Sequence, residues 1–444
     1  MGEIRPFKGI LYQKGMIPNL SLVIAPPYDV ISSEDQDRLY EQSSHNIIRL
    51  IKGKGSPKDN DQDNTNTRAN EVFQKWLRDG VLAEDPDEAI YACQDVYKLT
   101  DGIQKVRKGF IALFKLEAFG SGSIYPHERT LAGPKEDRFQ LMKACSANFS
   151  SIFSLYSDPE GKTEEILKGI WSQPPDMEIL SQERILHRLW KINDPPVCKK
   201  IQDAMAGQKV FIADGHHRYE TALRYQSFRK EKGGMKDGNL PYDYCMMYFS
   251  NTEDPGLSIL PYHRIVKNLP QDLLDHLEER LKTWFDIKRI YFDGIAITES
   301  AARKQLLHWM TQIGRERSTF GLYMGHQRYY TLSLKRSVNI EEIVPGEGSM
   351  VWKSLDVNIL HSLIFEKMLH ISSQDFEKKK TLSFVSDLNK AINLVNIRNC
   401  QAAFLVNPTS MNQVKAVAIN GEKMPQKSTF FYPKLPSGLV IRRI

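Results

Sequence analysis

The residues best equipped for chemistry stand together at Asp214, Gly215, His216, His217, Arg218 and Tyr219. Just before them, Val210 to Ala213 is a short β-branched and aromatic run, which predicts a buried strand. Just after, the spacing of Tyr219, Ala222, Leu223 and Phe228 predicts a helix from His216 to about Lys230, with Gly233-Gly234 as its stop. A strand that turns at once into a helix directs backbone N–H groups and the positive end of a helix dipole at one point, which suits an anion. His216, His217 and Arg218 add three positive or hydrogen-bonding heads to the same turn, and a guanidinium can take a phosphate in bidentate fashion. Gly215 would let a ligand approach the backbone closely. The plainer alternative makes Asp214 only an N-cap, worth about 1 kcal/mol, and leaves the histidines on the surface. Adjacent histidines project about 100° apart on a helix, so phosphate is favoured over a metal shared by both, and the spacing names no metal ligands.

Three further segments offer polar groups. Tyr125-Pro126-His127-Glu128 follows an apolar run, and Pro126 sets an extended or turning backbone that could hold Glu128 at the mouth of a site as a general base. Lys135 and Arg138 follow before a helix; the whole segment also reads as an ordinary polar loop. Near the other end, Lys427, Ser428 and Thr429 could ligate a phosphoryl group and its counter-ion. No glycines precede them as in a P-loop, and an aromatic-rich closing strand is the rival reading. Ala25 to Ser32 reads as a turn leading into a helix capped by Ser32 or Ser33, with Asp29 a candidate to face the site.

The elements that must position these groups alternate. Residues 53–67 form a polar loop. Ala69, Val72, Phe73, Trp76 and Leu77 then predict an amphipathic helix with Thr67 as cap and Gly80 as stop. Ile90 to Leu99 and Phe110 to Phe119, joined through Thr100-Asp101-Gly102, predict an antiparallel pair. Helices are expected near 163–171, 196–205, 273–285, 300–313 and 359–369 and from Val414 onward, and strands at 329–334 and 402–406. The fold class is therefore α+β, mixed α/β, without internal repeats.

At 444 residues the chain exceeds what one core usually organises. Three domains are expected: an N-terminal α/β extension over 1–106, a phosphate-binding core over 107–261, and a C-terminal α/β domain over 262–444 that closes the site. A net charge of +6, from 60 basic and 54 acidic side chains interleaved along the chain, lacks the dense stripe that duplex binding wants, so a small anionic substrate is favoured over nucleic acid. Five cysteines without a CxxC pair suggest a reducing compartment. No apolar run approaches the roughly 18 residues needed to span a bilayer, so the expectation is a cytoplasmic protein without a membrane partner. Nothing indicates an oligomeric state.

Taken together, Pro6-Phe7, Pro26 to Ile31, Tyr125 to Arg138, Asp214 to Tyr219 and Met424 to Gly438 resemble a prokaryotic family catalogued as domain of unknown function 1015, often labelled as related to ParB. Three pieces in order also resemble the free serine kinases of the ParB and sulfiredoxin superfamily. These are a strand leading to Pro126-His127-Glu128, the strand with Asp214-Gly215-His216-His217-Arg218, and the late Pro425 to Thr429. The resemblance implies a ParB/sulfiredoxin-like core and transfer of a phosphoryl group from a nucleotide or pyrophosphate, with Mg²⁺, to a hydroxyl such as that of free L-serine. It implies Glu128 as base and Asp214, His216, His217 and Arg218 as the donor-phosphate site, helped by Lys427, Ser428 and Thr429 and, further out, by Lys135 and Arg138. The alternative is a non-catalytic ParB-like nucleotide-binding regulator. That role would need a helix-turn-helix and a basic face, and neither is evident.

Overall fold

In the computed structural model, residues 2–128, 130, 132–233, 238–371 and 381–444 are described. Apolar strands alternate with amphipathic helices, and the result is the mixed α+β architecture the spacing predicts. The described chain divides into two units, one built of Met1–Ser258 with Phe431–Ile444, the other of Ile259–Phe430.

The first unit is organised on a nine-stranded mixed sheet. Its order runs Ile124–Tyr125, Val210–Asp214, Ile152–Tyr156, Tyr244–Asn251, Gln104–Lys115, Ile90–Lys98, Leu186–Ile192, Met177–Leu180, with Ile4–Arg5 also on Gln104–Lys115. The expected antiparallel pair is present, with Tyr91 opposite Ile111 and Lys98 opposite Gln104, so the sheet continues across residue 106. Its core gathers Phe110, Phe114, Trp190, Ile212, Tyr219 and Phe249. The helices Lys162–Trp171, Pro195–Met205 and His216–Gly233 bury Leu167, Ile201 and Tyr219 at the spacing their sequences foretell. Residues 431–444 return to this unit: Ser437 pairs with Ala25, Ile441 with Ile10, and Arg442–Arg443 with Ala147–Asn148.

The second unit carries a six-stranded sheet, ordered Phe285–Tyr291, Arg328–Leu334, Thr319–Tyr323, Ala402–Leu405, His263–Val266, Leu382–Val385. Apolar cores form around Phe320, Leu332 and Leu363 and around Leu306, Met310 and Leu405.

Two local expectations, a cap and a helix, need correction, and others hold. The helix Thr65–Arg78 is capped by Asn64, whose side chain accepts from the Asn66 and Thr67 amides; Thr67 sits inside the first turn and completes the capping box. The expected helix over 273–285 breaks into Gln271–Asp275 and Leu277–Lys282 at His276, and Phe285 opens a strand because it pairs with Leu334. Ser32 caps Ser33–Gln42 with Asp35 in a reciprocal capping box. All five cysteines are buried free thiols. Among the described residues no helix is long and apolar enough to cross a membrane.

Candidate functional site

The strand Val210–Asp214 is buried on both faces, as its unbroken apolar run requires, and it ends in the half-buried Asp214. It runs parallel to Ile124–Tyr125, with Val210 level with Ile124 and Phe211 with Tyr125. Parallel neighbours finish at the same sheet edge, where ligands gather in open mixed sheets. His127 and Glu128 therefore emerge beside Asp214. The two segments stay in contact past the strands: the His127 ring Nδ1 lies 2.8 Å from the Ile212 carbonyl, and the His127 amide donates to Nε2 of His216 at 3.3 Å. The two imidazoles meet edge to face at 4.8 Å.

These contacts define the protonation pattern. A carbonyl only accepts, so His127 carries its proton on Nδ1. Burial pushes the His127 pKa down to about 4, so the ring is neutral at pH 7. His216 is buried, and its Nε2 accepts the His127 amide, so that nitrogen carries no proton in this arrangement. His217 is half-buried, and burial lowers its pKa as well, against the opposing attraction of Glu220 and Asp29.

Asp214 is more than a cap. Lys434 Nζ pairs with one carboxylate oxygen and Arg218 with the other at 2.8 Å. Burial alone would raise the Asp214 pKa, but the attraction of Lys434 and Arg218 outweighs it and holds the carboxyl well below the usual carboxylate range. The Arg218 guanidinium also donates to the Ser151 carbonyl, so part of the fork expected to grip phosphate is committed to the protein itself. Gly215 has φ +94°, and a Cβ placed there would stand 2.8 Å from Arg218 Nε. The close approach that sequence reasoning reserves for a ligand is thus made by Arg218. The first intrahelical bond runs from the Tyr219 amide to the Gly215 carbonyl, so earlier amides of the turn point out of the helix end.

The other expected residues are distributed as follows. Glu128 is half-buried; its neighbours Arg129 and Leu131 lie outside the described residues. Lys135 pairs with Glu220 at 2.8 Å, an oxygen that also accepts from Thr130 at 2.8 Å. This ties the segment after Glu128 to the His216–Gly233 helix. Arg138 stacks 4.1 Å above the Tyr28 ring, donates to the Ile51 carbonyl at 2.8 Å and pairs with Asp137. Asp29 is exposed. Lys427, Ser428 and Thr429 belong to the second unit. There Lys427 has φ +60° and its ammonium lies 5.2 Å from the Tyr262 ring centroid, while the Ser428 hydroxyl donates to the Pro425 carbonyl at 2.6 Å. Among the described residues no group of three or more His, Cys, Asp or Glu side chains is arranged to hold a metal ion.

Sequence reasoning missed Lys434 and His127. His127 could have been flagged, since a histidine directly after a proline at the end of an apolar run stands on a constrained backbone. Lys434 has no local signal: it lies on the returning segment 431–444, and only tertiary structure brings it to Asp214.

Fold and site together define an α+β protein with a charged strand-to-helix turn at the edge of a mixed sheet. The chain belongs to the family described as "Protein of unknown function (DUF1015)", whose profile matches residues 4–358. No curated protein sequence matches it. Among solved structures, it is similar to a free serine kinase in complex with AMP, at 12% identity and TM-score 0.33 over 70% of this chain and 83% of that one. A conserved hypothetical protein from Pyrococcus furiosus matches at 12% identity and TM-score 0.33, covering 71% and 90%. SbnI with a C-terminal truncation, from Staphylococcus aureus, matches at 11% identity and TM-score 0.33, covering 73% and 84%.

Proposed function

We propose that the protein is a small-molecule phosphotransferase acting on a hydroxyl, with free L-serine as the first acceptor to test. The observation that carries this reading is the juxtaposition of two parallel strand ends. One delivers the Asp214–Arg218 turn, and the other delivers Glu128 directly after a histidine that touches that turn. Phosphoryl transfer asks the protein mainly for positioning and charge neutralisation. The helix start, with Arg218 and His217, supplies donors for a phosphoryl group, and Glu128 supplies a carboxylate beside them.

In the step proposed, the acceptor hydroxyl oxygen attacks the terminal phosphorus of a nucleotide or pyrophosphate. The new O–P bond forms as the bond to the donor's bridging oxygen breaks, and that oxygen leaves with the electron pair. The hydroxyl proton passes to Glu128. Asp214 acts by fixing Arg218 and Lys434 at the phosphoryl position. Mg²⁺ would neutralise charge on the donor. Lys427, Ser428 and Thr429 enter the proposal on their sequence alone, as further phosphate contacts, and Lys135 joins them with less support because Glu220 already holds it.

The test is to incubate the protein with L-serine and Mg²⁺ and, separately, ATP, ADP and pyrophosphate, and to measure phosphoserine. Glu128→Gln is expected to abolish transfer while sparing pyrophosphate binding, and Arg218→Ala to weaken donor binding. Full activity in the Glu128 variant would remove its role as base. Tight nucleotide binding and DNA retention, without product from any donor, would favour the non-catalytic regulator.

A further inference from the structure

A cleft in the first unit adjoins the Asp214 turn through Arg218. Its polar lining comes from Tyr28, Arg138, Asn148, Ser150, Arg218 and Thr221 over an apolar floor. Among the described residues its lining carries two guanidiniums, Arg138 paired with the exposed Asp137 and Arg218 paired with Asp214. Thr221 is 1% exposed, yet its hydroxyl has no hydrogen-bond partner. A buried hydroxyl left unpaired costs about 1–3 kcal/mol, and native structures seldom keep one without a reason. Arg138 is preorganised here, since its guanidinium rests on the Tyr28 ring and is tethered to the Ile51 carbonyl. That contact also gives the Ala25–Ile31 turn a purpose that sequence alone leaves open. Arg218 belongs both to the cleft and to the Asp214 turn.

We propose that this cleft receives the carboxylate end of the phosphoryl acceptor, a small hydroxycarboxylate, with Arg138 and Thr221 as specificity-determining residues. The proposal rests on the phosphotransfer reading and moves Arg138 from the donor phosphate to the acceptor. A planar, singly charged carboxylate matches the Arg138 fork and takes the place of the exposed Asp137 on it. A second phosphate dianion so close to the phosphoryl position would be repelled by the first. Arg218, shared by both regions, sets a carboxylate a short distance from the phosphorus, as a hydroxyl one or two carbons from a carboxylate requires. The apolar floor accommodates the short carbon chain, and the Thr221 hydroxyl supplies a partner for the acceptor's polar groups.

The experiment is calorimetric titration of the full chain with L-serine, glycerate and L-serinamide, with and without pyrophosphate. The two carboxylates are expected to bind, and serinamide at least tenfold more weakly. Arg138→Gln should weaken carboxylate binding about 10- to 100-fold and leave pyrophosphate binding unchanged. Thr221→Val, nearly isosteric, should weaken acceptor binding with no loss in Tm. Equal binding of serinamide, no binding of any carboxylate, or loss of pyrophosphate affinity in the Arg138 variant would each overturn the assignment. Carboxylate binding as expected, with no transfer from any donor, would uphold the cleft and sink the phosphotransferase reading. Transfer to serine with an unchanged KM in the Arg138 variant would do the reverse.

Discussion

Asp214 shows what a single side chain holds together at this site. Its carboxylate sits between Lys434 and Arg218, and all three side chains are largely buried. Removing the carboxylate of such a group leaves like charges facing each other without compensation. Asp214→Asn is therefore expected to destabilise the first unit by about 3 kcal/mol, read as a lower urea midpoint at unchanged m-value. A folded carboxyl held below its unfolded pKa contributes stability that is present above about pH 4 and lost as the pH falls further. His127 works in the window above. The unfolded ring takes up a proton below 6.5 while the buried one does so only near 4, so stability falls as the pH drops from 6.5 toward 4. Urea titrations across that range should show the decline. His127→Asn, which keeps a donor for the Ile212 carbonyl, should flatten it; an equal slope in the variant would assign the decline to the other buried histidines, among them His263, whose burial lowers its pKa to about 4, and His361, whose burial holds it well below the usual range.

At the scale of elements, the junction between the Val210–Asp214 strand and the His216–Gly233 helix depends on one glycine. Gly215 takes φ +94°, where side chains with a Cβ are strained, and a Cβ would press on the Arg218 guanidinium. Gly215→Ala is expected to cost about 1–2 kcal/mol and to displace Arg218. The result should be a lower Tm together with weaker pyrophosphate binding. A drop in Tm with unchanged pyrophosphate affinity would show that Arg218 is not a donor contact. The helix is anchored beyond its first turn as well, because the Tyr219 hydroxyl donates to the Glu117 carbonyl at 2.8 Å and accepts the Glu117 amide at 3.0 Å. Its register against the sheet is thereby fixed at the residue that follows the motif.

At the scale of the molecule, a buried charge group joins distant parts of the first unit. Arg107 donates twice to Asp95, at 2.7 and 3.1 Å, His187 meets the other Asp95 oxygen at 2.6 Å, and Arg107 also donates to the Pro433 carbonyl. Burial would raise the Asp95 pKa, but Arg107 and His187 overcome it and hold the carboxyl at about 2. Pro433 immediately precedes Lys434, so the central sheet holds the segment that supplies Asp214 with its second cation. Asp95→Asn is expected to destabilise the unit by about 3–5 kcal/mol and to expose the C-terminal segment to protease before the sheet core. Cleavage there at the wild-type rate would mean that the strand pairings of residues 437–443 hold the tail without Arg107.

The sequence by itself determined the α+β class, the antiparallel pair near residue 100, the strand-to-helix turn at Asp214 and the helices with regular apolar spacing. Each of these rests on near neighbours: a buried strand, a glycine break, a helical repeat. What failed locally failed for an equally physical reason. The helix expected over 273–285 gave way where Phe285 is drawn into pairing with Leu334, a partner that periodicity cannot see. Only the tertiary structure decided that His127 shares its amide with His216, that Arg218 folds back on Gly215 and Asp214, that Tyr28 supports Arg138, and that Lys434 reaches Asp214. Apart from the Arg218 contacts within its own helix turn, these join residues far apart in the chain, and their geometry comes from sheet order and from the return of residues 431–444, which no local spacing records.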